Sequence, residues 1–190
     1  MQLILASSSR WRRELLESAG LVVEGIDHTV DERAAGDLPP VELATTLALA
    51  KARSVSAMHP DALVIGADQV VHLDGRRFDK PSSAGEQMEH LKGLRGATHQ
   101  LVTGVALVGP KIERVFHETT KVRFRRDVTD DEIAAYVATG EGRGSAGGYE
   151  IERRGAQLIA EVQGSWFNVV GLPLLPLITA LRELGWRPSF

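Results

Sequence analysis

Apolar residues in this chain fall into short runs, which read as strands, and into stripes at helical spacing. The two kinds alternate from the first residues onward. Leu3-Ile4-Leu5 is a strand, and a helix runs from the serines and arginines that follow it through Glu14-Leu15-Leu16 to Gly20. Leu21 to Ile26 alternates as a second strand. Asp37-Leu38-Pro39-Pro40 opens a helix from Val41 to Met58, whose buried stripe is Leu43, Leu47 and Ala50. Ala62 to Val71 reads as a central strand covered on both faces, continuing to an Asp74-Gly75 hairpin turn and back through Arg76-Arg77-Phe78.

Ser83-Ala84-Gly85-Glu86 has the form of a capping box and predicts a helix from Ala84 to Leu94, with Gln87, Met88 and Leu91 inward. Thr98 to Val108 and Ile112 to Arg125 are long alternating strands joined at Gly109-Pro110. Thr129 to Glu132 is a second capping box, for a helix ending at Gly140. Leu158 to Val162 is a further strand, Gly164 to Asn168 a turn, and a last helix ends at Leu184 before Gly185. No internal repeat or low-complexity linker breaks the chain. The expected architecture is one mixed α/β unit over residues 1–190.

Chemistry concentrates in a few places. Ser7-Ser8-Ser9-Arg10-Trp11-Arg12-Arg13 puts hydroxyls, a helix start and three guanidiniums directly after a buried strand, the parts of an anion site for which a polyphosphate is the natural guest. The plainer alternative is a strand-to-helix connection with a serine cap and solvated arginines. Asp68 passes through the middle of a strand at the sheet's edge, where open α/β sheets place their chemistry, although a turn-forming aspartate is the commoner role. The hairpin carries Lys80 back toward it. Asp31-Glu32 are adjacent loop acids, and Lys51 stands at the margin of its helix stripe, as a lysine reaching to the surface does. The segment from Gly140 to Gly148 lacks the spacing of a Walker A or dinucleotide loop and reads as a lid or a linker.

Composition narrows this picture by exclusion. With 22 basic and 25 acidic residues and a net charge of −3, the 190-residue chain has no global attraction for nucleic acid or an anionic membrane, so phosphate binding has to be local. The absence of cysteine excludes disulfides, thiolate nucleophiles and thiolate metal sites. The six histidines have no metal spacing. The first residues carry one short apolar run with no basic stretch before it, no run approaches membrane length, and a cytoplasmic location is the default expectation.

Taken in order, Leu5-Ala6-Ser7-Ser8-Ser9 with Arg12, Gly66-Ala67-Asp68-Gln69, Asp79-Lys80-Pro81, Thr103-Gly104-Val105, Ala146-Gly147-Gly148-Tyr149 and Gly171-Leu172-Pro173 resemble the Maf family of nucleoside triphosphate pyrophosphatases over nearly the whole chain. The resemblance implies an elongated, twisted mixed sheet flanked by helices, with two lobes around a cleft, as in inosine triphosphate pyrophosphatases. It also implies a cytoplasmic enzyme, commonly a homodimer, that cuts a nucleoside triphosphate between the α- and β-phosphates with Mg²⁺ or Mn²⁺. Ser7, Ser9 and Arg12, with Arg13 beside them, match the phosphate-binding turn, and Lys51 and Lys80 match two lysines near the triphosphate. Glu32 matches an acid used at the metal, and Asp68 an acid that activates water or ligates the metal.

Trp11, Gln69 and Glu152 resemble the branch acting on 7-methylguanosine triphosphate, whereas the thymidine and uridine triphosphate branch tends to carry Arg, Thr and Gln there. An indole suits a cationic base, and a carboxylate suits its paired N–H donors. A reading of another class is a nucleotide-binding regulator of cell division without turnover, since the family's name comes from inhibition of septum formation.

Overall fold

The computed structural model describes residues 2–188. Its strands are β1 (Leu3–Leu5), β2 (Glu24–Gly25), β3 (Leu63–Leu73), β4 (Arg76–Arg77), β5 (Thr98–Gly109), β6 (Ile112–Phe124) and β7 (Ile159–Gln163). Its helices are α1 (Arg10–Ser18), α2 (Pro40–Ser56), α3 (Ala84–Leu94), α4 (Asp130–Ala138), α5 (Trp166–Val170) and α6 (Leu174–Glu183). The strands form one sheet in the order β2-β1-β3-β5-β6-β7, with β4 paired to β3. β1 lies parallel to both β2 and β3, while β4 on β3 and β7 on β6 are antiparallel. The expected mixed α/β fold is the fold adopted.

The chain divides into two units, one of residues 2–68, 103–118 and 171–188, the other of 69–102 and 119–170. In the first, Leu3, Ile4 and Leu5 are all buried, as a strand with parallel neighbours on both sides requires. Ile4, Ala6, Ala48, Ala52, Val55, Val64 and Ala106 make a core of small residues under α2. The alanines let this helix approach the sheet closely, and two strand glycines let it come closer still. A Cβ on Gly66 would lie 2.2 Å from the Ala48 carbonyl oxygen, and one on Gly104 would lie 2.3 Å from that of Ala44. The second unit has a bulkier core in which Phe78, Leu91, Leu94, Val122, Phe124, Ile133 and Tyr149 meet.

Local signals hold in most places. Asp74 and Gly75 both take positive φ, 50° and 84°, the geometry of a two-residue hairpin turn. The Thr129 box is reciprocal: the Glu132 N–H donates to Thr129 Oγ1, and the Thr129 N–H donates to the Glu132 carboxylate. The other box is only half formed. Ser83 Oγ accepts from the Glu86 N–H, but the Glu86 carboxylate accepts from the N–H and hydroxyl of Ser82 instead. The second predicted strand shrinks to Glu24–Gly25, the predicted turn at Gly164 to Asn168 runs into helix α5, and Ala50 is only half-buried.

Two expectations need larger correction. Lys51 is 3% exposed rather than reaching to the surface, because its ammonium has carboxylate partners inside the protein. The glycine-rich segment after Gly140 is not a linker. Gly142, Gly147, Gly148 and Tyr149 are buried, and side chains from α3, α4 and β5 hold it.

Candidate functional site

The first unit gathers Ser7, Ser9, Arg12, Glu32, Lys51 and Asp68. Asp68 enters from β3, two residues beyond Gly66, and Lys51 from the fourth turn of α2. The close seat of α2 on Gly66 brings the two into register. Lys51 Nζ donates to Asp68 Oδ1 at 2.6 Å and stands 2.6 Å from Glu32 Oε1. The Asp68 side chain is 12% exposed, whereas that of Glu32 keeps 49% of its surface open to water. One buried ammonium therefore balances two carboxylates, which is what such burial demands.

Glu32 opens a short 3-10 turn, Glu32–Ala35, capped by Asp31, whose carboxylate accepts from the Arg33 N–H. His28 stands over it, with Nε2 3.7 Å from Glu32 Oε1 and Nδ1 accepting from the Val30 N–H. Burial first, then the charge of Lys51, holds the His28 pKa below its ordinary value. With Nδ1 accepting, Nε2 is the ring nitrogen that faces Glu32 as a donor. No sequence spacing marked this histidine; its one signal is its place four residues before an acid.

Ser9 caps α1, and Ser7, buried, lies just before it. Ser7 Oγ accepts from the Ser9 N–H at 3.1 Å and from Arg12 Nη1 at 3.3 Å, so its own proton is directed elsewhere, as a donor. Arg12 also donates through Nε to the Gly171 carbonyl at 2.9 Å and through Nη1 to the Ala67 carbonyl at 2.8 Å. It is thus a brace between α1, β3 and the Gly171 turn as well as a fixed charge. Burial pulls its pKa down, and Asp68 and then Glu32 pull it back up. Arg13 is exposed, and its guanidinium lies against the backbone of Gly25. The structural roles of Gly66, Gly104 and Gly171 escaped the sequence reading, although a glycine inside a strand pattern is itself a sign of close backbone approach.

Among the described residues no group of three or more histidine, aspartate or glutamate side chains is arranged to hold a metal ion. Glu32 and Asp68 nevertheless converge on a single cationic atom, and their hard oxygens are the donor type that Mg²⁺ and Mn²⁺ take. Two protein carboxylates fit such an ion when the phosphates of a ligand complete its shell.

In the first unit, Trp11 is half-buried with the Arg10 guanidinium 4.2 Å from its ring centre. In the second, Lys80 is exposed, and Gln69 donates through Nε2 to the Asn168 carbonyl at 2.6 Å. Glu152, also there, is half-buried; burial, with the like charges of Glu150 and Glu141, raises its pKa.

The sequence profile for "Maf-like protein" matches residues 2–184. The chain belongs to the Maf family. A relative from Symbiobacterium thermophilum named dTTP/UTP pyrophosphatase is 45% identical over 185 residues, covering 97% of this chain and 95% of the relative. Another, from Rhizobium etli and named 7-methyl-GTP pyrophosphatase, is 41% identical over 192 residues, covering 97% and 96%. Among solved structures, a HAM1 protein from Coxiella burnetii shares the fold, with a TM-score of 0.50 at 15% identity over 96% of this chain and 99% of that one.

Proposed function

We propose that this chain, a Maf-family nucleoside triphosphate pyrophosphatase, prefers 7-methylguanosine triphosphate and releases the monophosphate and pyrophosphate with Mg²⁺ or Mn²⁺. The observation that carries the reaction is the Glu32–Lys51–Asp68 constellation, set beside Arg12 and the serine turn before α1.

Ser7 and the N–H groups at the start of α1 bind and orient phosphate oxygens. Lys51 and Arg12 spread the charge that builds up on those oxygens. Asp68 orients the attacking water and takes its proton as the α–β anhydride opens and the pyrophosphate leaves with the bond's electron pair. Glu32 and Asp68 would hold the divalent ion, which when bound neutralises the leaving pyrophosphate.

Base preference is assigned to Trp11, Gln69 and Glu152 on their resemblance to the methylguanosine branch. The chemistry of an indole face and of a carboxylate toward a cationic, N–H-bearing base supports that assignment. A second reading, thymidine and uridine triphosphates, is favoured by the 45% identity to the relative from Symbiobacterium thermophilum.

The test is pyrophosphate release by the purified protein with Mg²⁺ or Mn²⁺ across 7-methylguanosine, uridine, thymidine and unmodified purine triphosphates. Preference for the methylated guanine supports the proposal, and preference for pyrimidines overturns the base assignment while leaving the reaction. No turnover of any of them favours a nucleotide-binding regulator instead.

A further inference from the structure

We infer that Gln87 is a positioning residue for base selection: its side-chain amide closes the glycine-rich segment 141–148 onto α3 and so sets the place of Glu152. The inference rests on the reading of Glu152 as the base-reading carboxylate.

Gln87 lies in the first part of α3 and is fully buried, an unusual place for a glutamine. Its Nε2 donates to the Glu141 carbonyl at 2.6 Å and to the Gly148 carbonyl at 2.8 Å. Those carbonyls stand at opposite ends of the segment. Because a carbonyl only accepts, the pair settles which way the amide faces and uses both of its protons. The other end of the amide, Oε1, is buried with no hydrogen-bond partner among the described residues. An apolar side chain would fill the space without that cost. What the amide adds is its hold on two strands of backbone.

The segment depends on such a hold because it has little side chain of its own. Gly142, Gly147 and Gly148 have φ near 80°, and a Cβ on Gly142 would lie 2.3 Å from the Gly148 carbonyl oxygen. The chain folds back on itself there, with its two ends held by one amide.

Glu141 then passes the constraint onward. While its carbonyl is held by Gln87, its carboxylate accepts from the Gly155 N–H at 2.9 Å, closing a loop that contains Glu152. Inside that loop the Glu150 N–H donates to the Tyr136 hydroxyl, and the Tyr149 hydroxyl is hydrogen-bonded to His99. The side of the loop leading through Glu141 has Gln87 as its anchor to α3.

The experiment compares kcat/KM for 7-methylguanosine and uridine triphosphates in wild type, Gln87→Met, Glu152→Gln and the double variant. Methionine keeps the shape and removes both donors. The expected result is that Gln87→Met lowers the methylguanosine-to-uridine ratio about tenfold, chiefly through KM, and that it lowers the ratio no further in the Glu152→Gln background. A role confined to stability would reduce both substrates alike, and that outcome overturns the inference. So does a fall in the ratio for Glu152→Gln with none for Gln87→Met. If Glu152→Gln leaves the ratio unchanged, the base reading by Glu152 fails first and the inference falls with it.

Should Gln87→Met not fold, hydrogen exchange on the wild type decides. Amides from Gly142 to Glu150 protected to the level of α3 support the hold, and exchange at the rate of an open loop overturns it.

Discussion

Lys51 Nζ and Asp68 Oδ1 meet at 2.6 Å with both side chains almost entirely removed from water. Neither charge has solvent to fall back on, so each depends on the other, and Glu32 completes the balance at the exposed edge. Lys51→Met leaves two carboxylates facing each other without their cation. The expected loss is roughly 3 kcal/mol of stability, as for other broken buried pairs. Urea unfolding checks this, and adding Asp68→Asn to Lys51→Met should return part of the loss.

Asp68→Asn keeps the shape and the hydrogen bond from Lys51 but removes the carboxylate's ability to take a proton. Pyrophosphate release should fall at least about a hundredfold, while nucleotide affinity measured by calorimetry stays within a few fold of wild type. Turnover near the wild-type rate would remove Asp68 from the chemistry.

Glu32 is the more accessible of the two acids and the less tied to the fold. Glu32→Gln should therefore leave the melting temperature nearly unchanged and raise the concentration of Mg²⁺ or Mn²⁺ needed for half-maximal rate by about tenfold or more. A chelator should stop turnover in both proteins, with activity returning on addition of the ion.

Gly66 carries no functional group, yet it governs how near α2 lies to β3. Gly66→Ala sets a methyl group where the Ala48 carbonyl and the Ala52 backbone nitrogen already stand, at 2.2 and 2.8 Å. Backbone has to move, so the cost should be about 1–3 kcal/mol. Lys51 is three residues beyond Ala48, and kcat should fall although no catalytic group has been changed. Stability and kcat at wild-type levels would show that the helix can shift without harm.

His99 is fully buried against Phe124 and the Tyr149 hydroxyl, and burial, with a smaller contribution from His72, lowers its pKa to about 4. Its unfolded value is near 6.5, so between about pH 6.5 and pH 4 the unfolded chain binds the extra proton and stability declines as pH falls. The limit for one group is about 1.4 kcal/mol per pH unit. Burial also lowers the pKa values of His72 and His90, which steepens the decline in the same direction. His99→Gln keeps a partner for Tyr149 and removes the titration. Its urea midpoint should lose less between pH 7 and pH 4.5 than that of wild type, and an equal loss would acquit His99.

Much of the fold was legible because the signals are local. The buried run at Leu3 to Leu5, the Asp74-Gly75 turn and the Thr129 capping box each complete their chemistry within a few residues. Where a local signal met a competing partner it failed in part, as when Glu86 turned to Ser82 instead of closing its box on Ser83. The candidate site was legible as residue types and motif order, and Asp68 in mid-strand was placed correctly.

By itself, the sequence determined the alternation of strands and helices, the helix start rich in serine and arginine, and the family to which the chain belongs, since these follow from periodicity, capping and motif order. Only the tertiary structure decided that Lys51 is buried between Glu32 and Asp68, that Arg12 braces Gly171 and Ala67, and that Gln87 grips both ends of a glycine-rich segment. The partners in these contacts lie between 17 and 159 residues apart along the chain. Burial and ion pairing depend on which backbones come close, and that closeness is set by glycines and alanines whose lack of a side chain says little until something is packed against them.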